Sequence, residues 1–234
     1  MNEIDTSQGK LRFERKPLRT AKRIKIRVDG RRKITVFAEP SVKKSEIEST
    51  LGKKAKWIFE KLQLVEEHKQ MVPKHEFVSG ESFFLKGRLY RLKIIKAKEE
   101  RVGTDTSRIF CSTPNRKSVL VKKMLVKWYQ KVALEYISNR VARLQVKFKR
   151  KPTRVFVRNQ MARWGSCSMS GQLRFNWRLI MAPPSVIDYV IVHELVHLQE
   201  KNHTKRYWEM LKGAMPNYVE KKEWLRLNGC QLKL

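Results

Sequence analysis

Acidic residues, cysteines, histidines and long apolar runs are all scarce in this 234-residue chain. Three cysteines, Cys111, Cys167 and Cys230, form no Cys-x-x-Cys pair and no even-numbered framework. This excludes a disulfide scaffold and a cysteine-rich structural metal site, and it predicts reduced thiols in the cytoplasm. No apolar stretch approaches the ~18 residues that a membrane-crossing helix needs. The opening residues, Met1 to Asp5, lack the cationic start and apolar run of a secretory signal, so none is expected. Only five histidines occur, and three of them fall between positions 193 and 203. His68 and His75 stand alone among polar neighbours and read as surface residues.

Aspartate and glutamate number 22 against 53 lysines and arginines, a formal charge of +31. The excess is uneven: between Thr106 and Ser185 there are 18 basic residues and one acid, Glu135. A field of this sign attracts polyanions, nucleic acid foremost. Charge that serves solubility alone explains it equally well. No zinc-finger spacing, RNP aromatic pattern or recognition helix accompanies it.

Along the chain, residues 1–20 are polar and interrupted at Lys16-Pro17, and read as an arm. Ile24, Ile26 and Val28 alternate with Lys25 and Arg27, Asp29-Gly30 turns the chain, and Ile34 to Phe37 returns, which predicts a hairpin. Leu51, Ala55, Ile58, Leu62 and Val65 mark an amphipathic helix. Short strands are expected around Phe83 to Leu85, Tyr90 to Ile95 and Ile109 to Cys111. The longest helical pattern runs from about Arg116 to Lys147, with Val121, Leu125, Trp128, Val132 and Tyr136 on one side, then Ile137, Val141 and Leu144. Val155 to Val157 forms a strand, and Trp164 to Ser168 with Leu173 to Trp177 a second hairpin. The domain division this predicts is a polar arm at 1–20, a β-rich domain with a helix at 21–112 and a C-terminal domain at 113–234, whose chemistry the next residues indicate.

After Pro183-Pro184, Ser185 reads as an N-cap with Asp188 three residues on. The helix that follows is apolar on most faces, through Val186, Ile187, Val190, Ile191, Leu195 and Leu198. It nevertheless carries His193-Glu194-Leu195-Val196-His197. Histidines four apart share a helix face and can grip one Zn²⁺, and the glutamate between them can reach a water held by that ion. Burying three such groups is costly unless they are paired or metal-bound, which argues against satisfied core histidines. A third ligand is needed. Glu200 shares the face of His193 but lies ~10 Å along the axis, against ~3 Å for an ion between the two histidines. His203 is turned by about 120° from His197 on a continuous helix, and reaches the site only if the helix breaks. Lys201-Asn202 offers such a break. His203 is the favoured ligand; Glu209, Glu220 and Glu223 remain as carboxylate alternatives.

The string His193 to Trp208, His-Glu-Leu-Val-His-Leu-Gln-Glu-Lys-Asn-His-Thr-Lys-Arg-Tyr-Trp, resembles the signature of the YgjP-like metallopeptidases, which are related to the SprT-like and WLM (Wss-type) proteases. The likeness extends to Arg163-Trp164-Gly165-Ser166-Cys167-Ser168, to Leu173 and Phe175 to Leu179, and to Val186 to Val190. It is close over about 160–210 and looser upstream. The resemblance implies an α+β fold with a zincin-like metallopeptidase domain, made of a long helix, a small antiparallel sheet and the HExxH helix. A smaller β-hairpin-rich domain would precede it. It further implies one Zn²⁺ per chain held by His193, His197 and His203, with Glu194 catalytic.

On that reading the protein is a zinc metalloendopeptidase of the HExxH-x5-H type. Three protein ligands leave a fourth position for water, and Glu194 serves as general base and then as proton donor to the leaving amine. Arg163 and Tyr207 are candidate stabilisers of the transition state. Leu173, Phe175, Asn176 and Trp177 are the candidate edge strand for an extended substrate. The partners expected are a protein or peptide, nucleic acid through the basic surface, and no membrane. The alternative is a nucleic-acid-binding protein stapled by a structural zinc.

Overall fold

The computed structural model describes residues 2–18, 24–30, 32–160 and 162–234, apart from the His68 side chain. Its folded mass divides between Val72 and Pro73 into two compact units.

The first unit contains β1 (Asn2–Thr6), β2 (Gly9–Pro17), β3 (Lys25–Val28), β4 (Ile34–Ala38), α1 (Lys44–Lys53) and α2 (Ala55–Met71). The strands form a sheet of order β1-β2-β4-β3, in which only the β2–β4 pair is parallel. Leu11 and Phe13, then Ile34, Val36 and Ala38, put every second side chain into a core closed by Ile47, Leu51 and Ile58 of the helices. The β3–β4 hairpin is as expected. Most of residues 1–20 form strands rather than an arm: Ile4, Leu11 and Phe13 are buried, Ser7 and Gln8 make the turn between β1 and β2, and Gly9 leaves it at φ +127°. The arm's last residues, 19 and 20, lie outside the described residues.

The second unit repeats the same strand topology. β5 (Ser82–Leu85), β6 (Arg88–Lys96), β7 (Arg101–Thr104) and β8 (Arg108–Thr113) are ordered β5-β6-β8-β7, again with one parallel pair, β6–β8. This places the division at 72/73, whereas the sequence predicts 112/113. The reason is packing. Phe83, Leu85, Leu92, Ile109 and Cys111 share one core with α3 (Ser118–Leu144) and with Trp177. Polar bonds lock the arrangement: the Tyr129 hydroxyl donates to Phe84 O at 2.7 Å, Lys86 N to Ile180 O at 2.7 Å, and Gly87 N to Met181 O at 3.0 Å. Gly87 sits at φ +76°, and a Cβ there would lie 2.9 Å from Pro183 Cα. The buried stripe of α3 runs strictly every four residues, through Val121, Leu125, Tyr129, Ala133, Ile137 and Val141. Trp128 and Val132, expected on that stripe, are only partly buried beside it.

Next come β9 (Arg154–Arg158), β10 (Gly165–Cys167) and β11 (Gln172–Asn176), ordered β10-β11-β9. This small sheet is mixed, not antiparallel as expected, because β9 joins β11 in parallel on the side away from the β10 hairpin. A 3₁₀ segment, Trp177–Met181, leads into α4 (Pro184–Val196), followed by α5 (Lys205–Ala214) and α6 (Tyr218–Asn228). α4 starts from Pro183 with Pro184 in its first turn, and no side chain caps it. Ser185 is therefore not the N-cap. Asp188 instead accepts from Arg140 Nε at 2.8 Å, in a two-bonded ion pair that joins α4 to α3. Ile187, Ile191 and Leu195 are fully buried, each contributing roughly 1.5–3 kcal/mol. The fold is α+β. Among the described residues no helix is long and apolar enough to cross a membrane.

Candidate metal centre

α4 ends at Val196, so the helix stops earlier than the sequence predicts, with His197 as its C-cap. The chain then turns through 198–204. Thr204 caps α5 by accepting from Tyr207 N at 3.3 Å. This turn carries His203 back over the helix it has left. His203 Nε2 lies 3.2 Å from His197 Nε2 and 3.3 Å from His193 Nε2. The three histidines are the His/Cys/Asp/Glu group among the described residues whose ligand atoms all lie within 4.8 Å of one another. Glu200, Glu209, Glu220 and Glu223 are not in it.

The donor set suits a divalent cation. His197 Nδ1 is 3.0 Å from Glu200 O. With its proton directed there, Nε2 presents a lone pair. Burial, reinforced by His197, His203 and Lys222, holds the His193 imidazole down at about 3, and burial lowers His197 as well. Both are neutral near pH 7, the form that ligates. Three ring nitrogens directed at one point cannot all satisfy one another by hydrogen bonding, whereas one cation satisfies them together.

Glu194 points from the same turn towards β10 and is only 3% exposed. Burial pushes its carboxyl up to about 8, against the opposing pull of the Arg163 cation. Its Oε2 has no protein partner. Its other side lies against Gly165, where a Cβ would sit 2.5 Å from Oε1 and 2.8 Å from Cγ. A cleft of ≈360 Å³ opens beside His193 and Glu194. Trp164, Tyr189, Val190 and Leu225 give it apolar walls, and Arg163 and Lys222 line it with positive charge.

The other expected site residues divide. Arg163 lines the cleft and is exposed. Tyr207 does not line it. That side chain is fully buried, its ring centroid 4.6–5.3 Å from those of all three histidines, and its hydroxyl donates to His193 O at 3.2 Å. Tyr207 thus backs the imidazoles and does not face a reacting group. Leu173, Phe175, Asn176 and Trp177 are corrected too: β11 is paired on both sides, the four residues are buried, and the sheet's edges are β9 and β10, of which β10 lies beside Glu194. Trp164 O and Ser168 N both bond to β11. By antiparallel alternation, Gly165 and Cys167 turn their own N–H and C=O outward. His75 is not a surface residue, since its Nδ1 lies 2.6 Å from Glu81 and its ring stacks on Phe83. The His68 side chain lies outside the described residues. Sequence reasoning missed Gly165 as a neighbour of Glu194 and missed the α6 residues on the cleft. The former showed only as a hairpin glycine, and the latter carry no local pattern.

A search of curated proteins finds no match. Among solved structures, the metallopeptidase zymogen jannalysin of Methanocaldococcus jannaschii aligns at 18% identity and TM-score 0.34, over 38% of this chain and 92% of that one. The zymogen abylysin of Pyrococcus abyssi aligns at 16% identity and TM-score 0.33, over 43% and 95%. The family model described as YgjP-like, metallopeptidase domain, matches residues 22–228, nearly the whole length. On that match, the chain belongs to the YgjP-like metallopeptidase family.

Proposed function

We propose that the chain is a zinc-dependent endopeptidase of the HExxH-x5-H type, with a zincin-like arrangement in its C-terminal part. His193, His197 and His203 would hold one Zn²⁺ and Glu194 would act as the catalytic base. The observation that carries the proposal is the convergence of three Nε2 atoms beside a buried glutamate whose Oε2 lacks a partner. A structural zinc site closes with four protein ligands, and the group here offers three, which favours catalysis over the staple reading.

When bound, the cation supplies Lewis-acid polarisation of a scissile carbonyl and acidifies a water beside it. In its ionised form, which a bound cation would favour over the neutral one, Glu194 takes a proton from the attacking water at its unpartnered oxygen and returns it to the leaving amide nitrogen. Gly165 holds the carboxylate in place by closing off the space behind it. Arg163, on the cleft wall, is placed to face the negative charge that develops on the carbonyl oxygen. The outward N–H and C=O groups of Gly165 and Cys167 on β10 pair with an extended peptide, and the apolar cleft receives one of its side chains. The division of labour proposed is a catalytic part at 113–234, packed on β5 to β8 of the same compact unit. The basic surface draws nucleic-acid-associated proteins, and the three free thiols accord with a cytoplasmic setting. Casein cleavage by purified protein, with and without chelator, tests the activity. Cleavage that survives full metal removal would refute it.

A further inference from the structure

The small sheet beside the metal centre has a second face. β9 and β11 pair Arg154 with Gln172, Phe156 with Arg174 and Arg158 with Asn176. Alternation sends Val155, Val157, Leu173 and Phe175 into the core and leaves Arg154, Phe156, Arg158 and Arg174 together on the opposite face. Phe156 is half-buried yet belongs to neither hydrophobic cluster. Its ring instead lies under two guanidiniums, Arg158 at 5.1 Å and Arg174 at 5.8 Å. Arg174 is steadied by a 2.6 Å bond to Gln172 Oε1. At the end of β11, Arg178 stacks 4.3 Å over Trp177 and bonds to Asn159 Oδ1 at 2.6 Å.

No acidic residue occurs between Glu135 and Asp188, so these strands contain no carboxylate to neutralise the cluster. The choice of cation also matters. Lysines outnumber arginines 31 to 22 in the chain, yet all five cations between Pro152 and Glu200 are arginine. Solubility is served equally by lysine. Planar guanidiniums held over an aromatic ring do what ammonium groups cannot: they grip phosphate through paired donors and offer flat surfaces to bases. A sheet face bearing arginine planes and an aromatic suits splayed, unstacked bases better than a duplex groove.

We propose that the outer face of β9 and β11, built on Arg154, Phe156, Arg158 and Arg174, binds single-stranded nucleic acid. The inference rests on the nucleic-acid part of the reading above and is independent of peptidase activity.

The test is fluorescence anisotropy of a labelled oligothymidylate with the full chain, titrated over a range of salt. Replacing Arg154, Arg158 and Arg174 together by Gln is expected to weaken binding about 100-fold at 0.1 M salt and to flatten the salt slope by about 2, at roughly 0.7 per phosphate contact. Removing three charges from α3 instead (K123Q, K127Q, K131Q) should cost less than about 5-fold, through the general field alone. Replacing the same arginines by Lys should keep the slope but weaken binding by roughly 3–10-fold as stacking is lost. Equal losses in the sheet and helix variants overturn the placement, and a Lys variant that binds like the parent overturns the stacking platform. Tighter binding to a hairpin duplex overturns the single-strand assignment, and equal displacement by oligoglutamate overturns nucleic acid as the ligand. A parent protein that binds no oligonucleotide refutes the nucleic-acid reading altogether, which is distinguishable from a misplaced surface.

Discussion

Gly165 is the point where the backbone of β10 meets the Glu194 carboxylate proposed as the base, and Gly165→Ala probes that contact directly. The added Cβ would stand 2.5 Å from Glu194 Oε1, 2.8 Å from Cγ and 3.0 Å from Cδ. Ordinary carbon contacts begin near 3.5 Å, so the carboxylate must retreat by about 1 Å. An exposed glutamate would swing aside at little cost, but Glu194 is 3% exposed and walled in. Misplacing a reacting group by ~1 Å costs on the order of 100-fold in rate, and overpacking costs about 1–3 kcal/mol of stability. We therefore expect kcat to fall about 100-fold, with the melting temperature lowered by several degrees. Zinc content should be unchanged, because the three atoms nearest the added Cβ all belong to Glu194 and none to an imidazole. Steady-state cleavage of a quenched peptide, alongside metal analysis and thermal unfolding, measures all three. A Gly165→Ala protein of parental kcat would refute the account of how Glu194 is held.

Other substitutions separate the roles around the centre. Glu194→Gln should abolish measurable turnover while zinc content stays at one per chain; substantial residual turnover would remove Glu194 from the chemistry. His203→Ala should reduce zinc affinity by at least about 10-fold, read by competition with a chromogenic chelator, if the turn after α4 delivers a true ligand. Tyr207→Phe removes only the hydroxyl bond to His193 O; it should cost about 1 kcal/mol of stability and alter kcat less than about 5-fold. A far larger kcat loss would restore Tyr207 as a transition-state group. Arg140→Ala leaves Asp188, a largely buried carboxylate on α4, without its partner, and should cost about 2 kcal/mol in urea unfolding.

Much of this site is local in sequence and so was legible there. The i,i+4 histidines with the glutamate between them need only a helix, and Lys201-Asn202 signalled that the helix could not continue to His203. The Val121–Val141 helix and the hairpins around Asp29 and Met169 likewise declare themselves through periodicity and turn residues. What periodicity does not report is the partner of a face. Phe83, Leu92 and Ile109 read as a separate β section until α3 and Trp177 are seen to close their core. β11 read as an edge because nothing in Leu173 to Trp177 reveals that β9 lies along its other side. Asn2 to Pro17 read as an arm because Ile4, Leu11 and Phe13 are thinly spaced apolar residues in a charged segment. Asp188 read as part of a cap because its ion-pair partner, Arg140, lies 48 residues away.

The measurement closest to the central claim is a zinc titration of metal-depleted protein, followed by its rate of peptide cleavage. The account predicts a folded protein without activity, a linear rise in rate with added Zn²⁺, and a plateau at one equivalent per chain. Peptide cleavage at full rate before any zinc is added, or a plateau that ignores the loss of His203, would contradict it.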